Sequence, residues 1–127
     1  MKLHSDTSFG LNTVTGYGQG YVDVNKQRHT TSLILDPNSL EAPWPVKDVA
    51  SLTAELLAPL ATRRCDVVLL GTGQRQRFPA PAVLRPLLEA MSKARVGVEV
   101  MDTAAACRTY NILMAEGRNP VAALIVE

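Results

Sequence analysis

Hydrophobic and polar positions divide the chain into two unlike parts. In residues 1–47 the pattern is one of short alternations broken by turn residues. Tyr21-Val22-Asp23-Val24 puts Val22 and Val24 on one face, which predicts a strand. Asn25-Lys26-Gln27-Arg28 reads as a polar turn, since Asn25 tolerates positive φ. His29-Thr30-Thr31-Ser32-Leu33-Ile34-Leu35 is rich in β-branched residues and predicts a returning strand, so the two form an antiparallel hairpin. Gly16-Tyr17-Gly18-Gln19-Gly20 reads as a flexible approach, and Asp36-Pro37-Asn38 ends the hairpin. Neither proline of Pro43-Trp44-Pro45 can donate to a ladder, so this is at most a short edge segment, with Trp44 as a cap over the core.

Residues 48–127 alternate helix and strand. Val49, Leu52, Leu56, Leu57 and Leu60 predict an amphipathic helix over 48–61, its last turn loosened by Pro59. Asp66-Val67-Val68-Leu69-Leu70 predicts a strand buried on both faces and stopped by Gly71. Pro81 opens a second helix marked by Val83, Leu84, Leu87, Leu88 and Met91. A strand follows at Val96–Met101, within which Glu99 reads as an edge or rim position. Asp102-Thr103 caps a third helix over 104–116, with Gly117 as its C′ residue, and Val121–Val126 is the last strand. The order implies an α/β fold with a mixed sheet. Strands near 66–70, 96–101 and 121–126 run parallel through right-handed crossovers, with helices covering them. The N-terminal hairpin either extends that sheet or forms a small second layer.

Composition narrows the class. The chain has 127 residues, 46% hydrophobic and 20% charged, which suits one folded domain spanning 1–127. Thirteen basic residues against twelve acidic ones give no electrostatic reason to bind nucleic acid or an anionic membrane. No apolar run is long enough to span a bilayer, and Met1-Lys2-Leu3-His4-Ser5-Asp6 lacks the apolar stretch of a secretory signal. A soluble cytoplasmic protein without membrane insertion is expected. Cys65 and Cys107 are too few for a disulfide framework and have no metal-ligand spacing, so both are expected reduced, and no metal site is predicted.

Four segments carry a resemblance in order: Gly18-Gln19-Gly20-Tyr21-Val22-Asp23-Val24-Asn25, Leu69-Leu70-Gly71-Thr72-Gly73, Gly97-Val98-Glu99-Val100-Met101-Asp102-Thr103, and Ala106-Cys107-Arg108-Thr109-Tyr110-Asn111 through Glu116-Gly117-Arg118. Together they resemble the Mth938-like, or DUF498, family of small uncharacterised proteins, over roughly residues 10–126. The resemblance implies a compact α/β domain with a central mixed sheet. Eukaryotic members of that family include a mitochondrial complex I assembly factor. No catalytic residue carries over from the family to this chain.

The candidate chemistry lies where two strands end. Gly71-Thr72-Gly73-Gln74-Arg75-Gln76-Arg77 follows a buried strand, and glycines there can turn backbone N–H groups toward an anion, with Arg75 and Arg77 adding charge. Gln76 stands where a dinucleotide fingerprint needs its third glycine, and no P-loop Lys-Ser/Thr pair is present, so no nucleotide or other cofactor is predicted. Asp102 and Thr103 emerge at the same end of the sheet, where they either cap a helix or shape a polar crevice in which Asp102 faces Arg75, Arg77 or Arg108. Gly71, Thr72, Gly73, Arg75, Arg77, Asp102, Thr103 and Arg108 therefore form the candidate anion- or ligand-binding set. Cys107 shares a helical face with Tyr110 and Met114 and reads as packing, and nothing brings His4 or His29 to it as a base. Asn111 reads as a hydrogen-bonding partner of a neighbouring loop, and Arg63-Arg64 as a solvated helix end. The favoured function is a non-enzymatic binding or assembly-assisting domain with an unknown protein partner, compatible with a homo-oligomer. The alternative is a small enzyme or ligand-binding domain using the crevice near Gly73 and Asp102.

Overall fold

A computed structural model describes residues 10–127, so the opening segment Met1–Asp6, with His4, lies outside the described residues. In chain order the elements are β1 (Val14–Gly18), β2 (Tyr21–Val24), β3 (Gln27–His29), β4 (Leu33–Asp36), β5 (Ser39–Glu41), α1 (Ala54–Leu57), β6 (Val67–Gly71), α2 (Pro81–Lys93), β7 (Gly97–Met101), α3 (Thr103–Ala115) and β8 (Pro120–Leu124). They build a three-stranded sheet, β1-β2-β3, and a five-stranded sheet ordered β5-β4-β8-β6-β7. β6 pairs in parallel with both β7 and β8, setting Val67 beside Gly97 on one side and Pro120 on the other. β4 joins β8 antiparallel, and β5 joins β4 antiparallel. The fold is thus the mixed α/β arrangement expected, and the hairpin forms a second layer.

Burial follows from the strand compositions. Val67–Leu70 and Val121–Leu124 are buried along their length, as runs covered on both faces must be. Val68, Leu70, Val121 and Ala123 face α2, Leu57, Leu60 and Trp44, whose indole N–H donates to the Leu56 carbonyl at 3.1 Å. Leu69, Ala122 and Leu124 face the other way, onto α3 and the inner face of the three-stranded sheet. There Ala106, Cys107, Tyr110 and Met114 form the buried stripe of α3, and Val14, Val22 and Val24 close over it. Each such aliphatic side chain contributes about 1.5–3 kcal/mol by leaving water. The ends of α3 are well defined. Asp102 accepts the Ala105 N–H at 2.8 Å at the start. At the finish, Gly117 at φ +83° and Arg118 return their N–H groups to Met114 and Leu113, so the last carbonyls are satisfied.

Five expectations are corrected. The glycine-rich approach is a strand, because Gly16 and Gly18 lie across from Asp23 and Tyr21, whose side chains fill the space a Cβ would take. The turn of the hairpin is only Asn25-Lys26, both at positive φ (52° and 69°), as the twist of a two-residue hairpin requires. The returning strand does not reach Leu35 but splits after His29. Leu33, Ile34 and Leu35 are all buried, so this segment belongs inside the larger sheet and not on a half-exposed hairpin. It turns back at once into β5, which the sequence reading lacked, because the Asp36 carboxylate accepts the N–H groups of Asn38 and Ser39. The single helix over 48–61 is three short pieces. Asp48 caps a 3-10 turn at Val49–Ser51, Thr53 caps α1, and Pro59 sits in a 3-10 segment at Ala58–Thr62. Arg63 is no solvated helix end. It bridges Asp36 at 2.8 Å and also Glu41, tying the segment after α1 to the β4–β5 hairpin.

Candidate functional site

At the carboxyl ends of β6 and β8, α3 begins directly over the sheet. Gly71 permits this approach, since a Cβ there would lie 3.0 Å from the Thr103 backbone. Thr103 is buried and ties three segments together. Its hydroxyl accepts the Gly73 N–H at 2.8 Å and donates to the Ile125 carbonyl at 2.7 Å, while its own N–H reaches the Gly73 carbonyl at 2.8 Å. Thr72 closes the loop from behind. Its N–H donates to the Met101 carbonyl, and its hydroxyl donates to the Arg75 carbonyl at 2.6 Å and accepts the Arg77 N–H at 3.0 Å.

The β1–β2 turn overhangs this end of the sheet. Between them lies a cleft of about 300 Å³, walled by Tyr17–Tyr21 on one side and by Gly73, Gln74, Asp102, Thr103 and Ala104 on the other, with Ile125–Glu127 at its end. Of the candidate set, Gly73, Asp102 and Thr103 line the cleft. Gly71 and Thr72 lie buried behind it, and Arg75 and Arg77 are exposed on the loop, apart from the lining. Arg108 stands outside the lining too, but its guanidinium donates to the Tyr17 hydroxyl at 3.1 Å and so reaches the cleft wall. The acidic groups in the lining are Asp102 and Glu127. A Glu127 carboxylate oxygen accepts the Gln74 N–H at 3.0 Å, and the Glu127 carbonyl accepts from the Gln74 amide at 3.2 Å. The loop therefore holds a carboxylate on a backbone N–H, supplied by the chain itself.

Sequence reasoning missed the Tyr17–Tyr21 wall and Glu127. The glycine–tyrosine alternation was the available signal, because glycines facing bulky cross-strand partners mark a shaped surface. Tyr21 covers Gly18 and carries the Arg28 guanidinium 3.8 Å above its ring, and Arg28 in turn pairs with Asp23 at 3.0 and 3.3 Å. The hydrogen bond from Arg28 holds the Asp23 carboxyl below its ordinary range.

Cys107 is buried beside this site, one turn into α3. Burial pushes its thiol up to about 12, which outweighs the opposing pull of Arg108. It is held as a neutral thiol, not as a thiolate. Burial likewise raises the Tyr110 phenol, whose hydroxyl donates to the Asn12 carbonyl at 2.8 Å. Among the described residues, no helix is long and apolar enough to cross a membrane.

These features define a two-sheet α/β domain in which a hairpin sheet roofs the carboxyl ends of a mixed sheet. The profile of the family described as "Protein of unknown function (DUF498/DUF598)" matches residues 14–125, and the chain belongs to that family. A crystal structure of a Bordetella parapertussis protein superposes with a TM-score of 0.81 at 47% identity, covering 93% of this chain and 98% of that one. A solution structure of a Bordetella pertussis protein described as a Mth938-like domain superposes with a TM-score of 0.76 at 42% identity, covering 98% of this chain and 92% of that one. The chain is also 32% identical over 126 residues to the Drosophila melanogaster protein named NADH dehydrogenase [ubiquinone] 1 alpha subcomplex assembly factor 3. That match covers 97% of this chain and 62% of the relative, so the chain spans less than two thirds of the relative's length.

Proposed function

We propose that this chain is a single-domain, cytoplasmic, non-enzymatic binding protein that assists the assembly of a larger protein complex. The observation that carries the reading is its similarity, over nearly its full described length, to a protein named as an NADH dehydrogenase assembly factor. The neutral, buried Cys107 thiol supports the same side, because the one cysteine next to the cleft is held in its unreactive form. A complex of the NADH dehydrogenase type is then the partner class. Cross-linking in the native cell, followed by capture and identification, tests this. Subunits or intermediates of such a complex should be enriched over a control with Ala104→Arg, which fills the cleft from the first turn of α3. Equal recovery by both proteins would remove the cleft from the partner surface, and no enrichment with either would end the assembly reading.

A second reading has its own observation. The cleft's volume of about 300 Å³ reaches the lower end of the range for small-molecule sites, and it is lined in part by Gly73, Asp102 and Thr103. On this reading the cleft takes a small anionic ligand at the loop that now holds the Glu127 carboxylate, with Arg108 supplying charge at the wall. A phosphate titration followed through backbone amide shifts separates this reading from the first, since only the second expects Gly73 and Gln74 to respond.

A further inference from the structure

Among the described residues the two sheets have four edges, of which two are short and a third, β1, is taken up at its first residue. β3 and β5 have three residues each, and Arg63 hooks over β5 through Ser39 and Glu41. The outer edge of β1 is occupied at Val14 by the Asn111 side chain. β7 is different. Among the described residues it pairs only with β6, along all five of its residues, and it stands at the end of the larger sheet.

Its open backbone groups can be assigned by alternation. The Met101 carbonyl points inward and accepts the Thr72 N–H. Residues of alternate parity point outward, and the Val100 carbonyl does accept from outside, from the Gln76 amide at 3.0 Å. Val98 therefore turns both its N–H and its carbonyl to the free edge, beside the Val100 N–H. An exposed row of this kind is a template for another strand. The side chains add a pattern. Val98 and Val100 are half-buried on the α2 side, and Glu99 is exposed on the opposite side. α2, which packs on β7, leaves Leu88 41% exposed, and Phe78, two residues beyond the Gln76 anchor, is 66% exposed.

A second copy is a poor occupant. The antiparallel register that pairs all five residues of β7 with a second β7 sets Glu99 opposite Glu99, and like charges opposite each other destabilise a strand pair. Resting on the assembly reading above, we infer that β7 is a docking strand for an extended segment of a different protein, one that alternates apolar, basic, apolar. The basic side chain faces Glu99, and the apolar ones lie beside Val98 and Val100 toward α2. Main-chain hydrogen bonds supply the affinity and Glu99 the choice of partner.

The test uses the whole protein and two capped heptapeptides of threonine and valine, one with a central lysine and the other with a central glutamate. Amide shifts in the wild type should centre on Val98 and Val100, with the lysine peptide bound about fivefold tighter, the size expected from one cross-strand charge pair. Glu99→Lys, a change at an exposed position, should reverse the preference. Equal affinities, no reversal, or shifts confined to the cleft would overturn the inference. The two readings fail separately. Peptide binding with no enrichment of a complex in native capture defeats the assembly reading and leaves the edge standing. Enrichment that Glu99→Lys leaves unchanged, with no peptide binding, defeats the edge alone.

Discussion

Asn111 holds Val14 by both of its backbone groups: its Oδ1 accepts the Val14 N–H at 3.0 Å, and its Nδ2 donates to the Val14 carbonyl at 2.7 Å. A side-chain amide on α3 thus does for β1 what a neighbouring strand would do. It joins the small sheet to α3 at the point where the β1–β2 register shifts between Val14 and Gly16. The same helix face sends the Tyr110 hydroxyl to the Asn12 carbonyl, so the entry to β1 is fixed twice.

We predict that Asn111→Leu, close in size but without polar atoms, lowers stability by about 1–3 kcal/mol, since it leaves two part-buried backbone groups unpaired. Asn111→Asp keeps the acceptor and loses the donor, so its cost should be intermediate. Urea unfolding checks both. A loss below about 0.5 kcal/mol for Asn111→Leu would mean that water replaces the amide at no cost.

Arg63 joins two acidic residues of the β4–β5 hairpin while only 16% of its side chain is exposed. Arg63→Met should therefore cost about 1–3 kcal/mol, above the usual value of a surface ion pair. Arg63→Lys should recover little, because a single ammonium cannot reach Asp36, Ser39 and Glu41 as a planar fork does. Thermal unfolding of the three proteins at two salt concentrations tests this, and full rescue by lysine would show that only the charge matters.

The sequence made the parallel core legible for a physical reason. Val67–Leu70 and Val121–Leu124 are apolar at every position, which suits only strands covered on both faces, and α2 and α3 carry stripes that fit those faces. Asn25 likewise announced its turn. What stayed hidden depends on contacts distant in sequence. Gly16 and Gly18 look flexible until Asp23 and Tyr21 are set across from them. Leu33–Asp36 looks continuous with β3 until β8 is available to pair with it. The cleft was half visible, since Gly73, Asp102 and Thr103 follow strand ends. Its other wall comes from the β1–β2 turn, which no spacing rule connects to α3.

Cys107 gives a test of the packing above the cleft. Its thiol is buried and raised to about 12, from an ordinary value near 9.0. We predict slow reaction with a thiol reagent at neutral pH, with Cys65, half-buried, labelled first. The sign for stability follows from the raised value. The neutral thiol is favoured by folding, so its contribution is complete below the unfolded pKa and is lost as pH rises through the window from about 9 toward 12. Cys107→Ala should show a shallower loss of stability over that window than the wild type. Rapid labelling of Cys107, or identical pH slopes for the two proteins, would contradict the buried neutral thiol.

The Gly73–Gln74 loop is the place to decide whether the cleft takes an anion. Its N–H groups are engaged: Gly73 donates to Thr103, and Gln74 donates to the Glu127 carboxylate. Only the second partner can be removed without disturbing the start of α3, because Thr103 also holds Ile125. Glu127→Ala frees the Gln74 N–H, removes one of the two acidic groups lining the cleft, and leaves Arg108 at the wall on Tyr17. If the loop is a receptor for anions, phosphate at low ionic strength should shift the Gly73 and Gln74 amides weakly in the wild type and more strongly in Glu127→Ala. The effect should fade as salt is added, since the loop is exposed beyond Gly73 and its charges are screened. Gly73→Ala acts on the same contact from the other side. Gly73 sits at φ +101°, and a Cβ there meets the Glu127 side chain, so this variant should displace the carboxylate and strain the loop together. Silence of both amides in the wild type and in Glu127→Ala would show that the loop is no anion receptor and that its glycines serve the turn and the approach of α3.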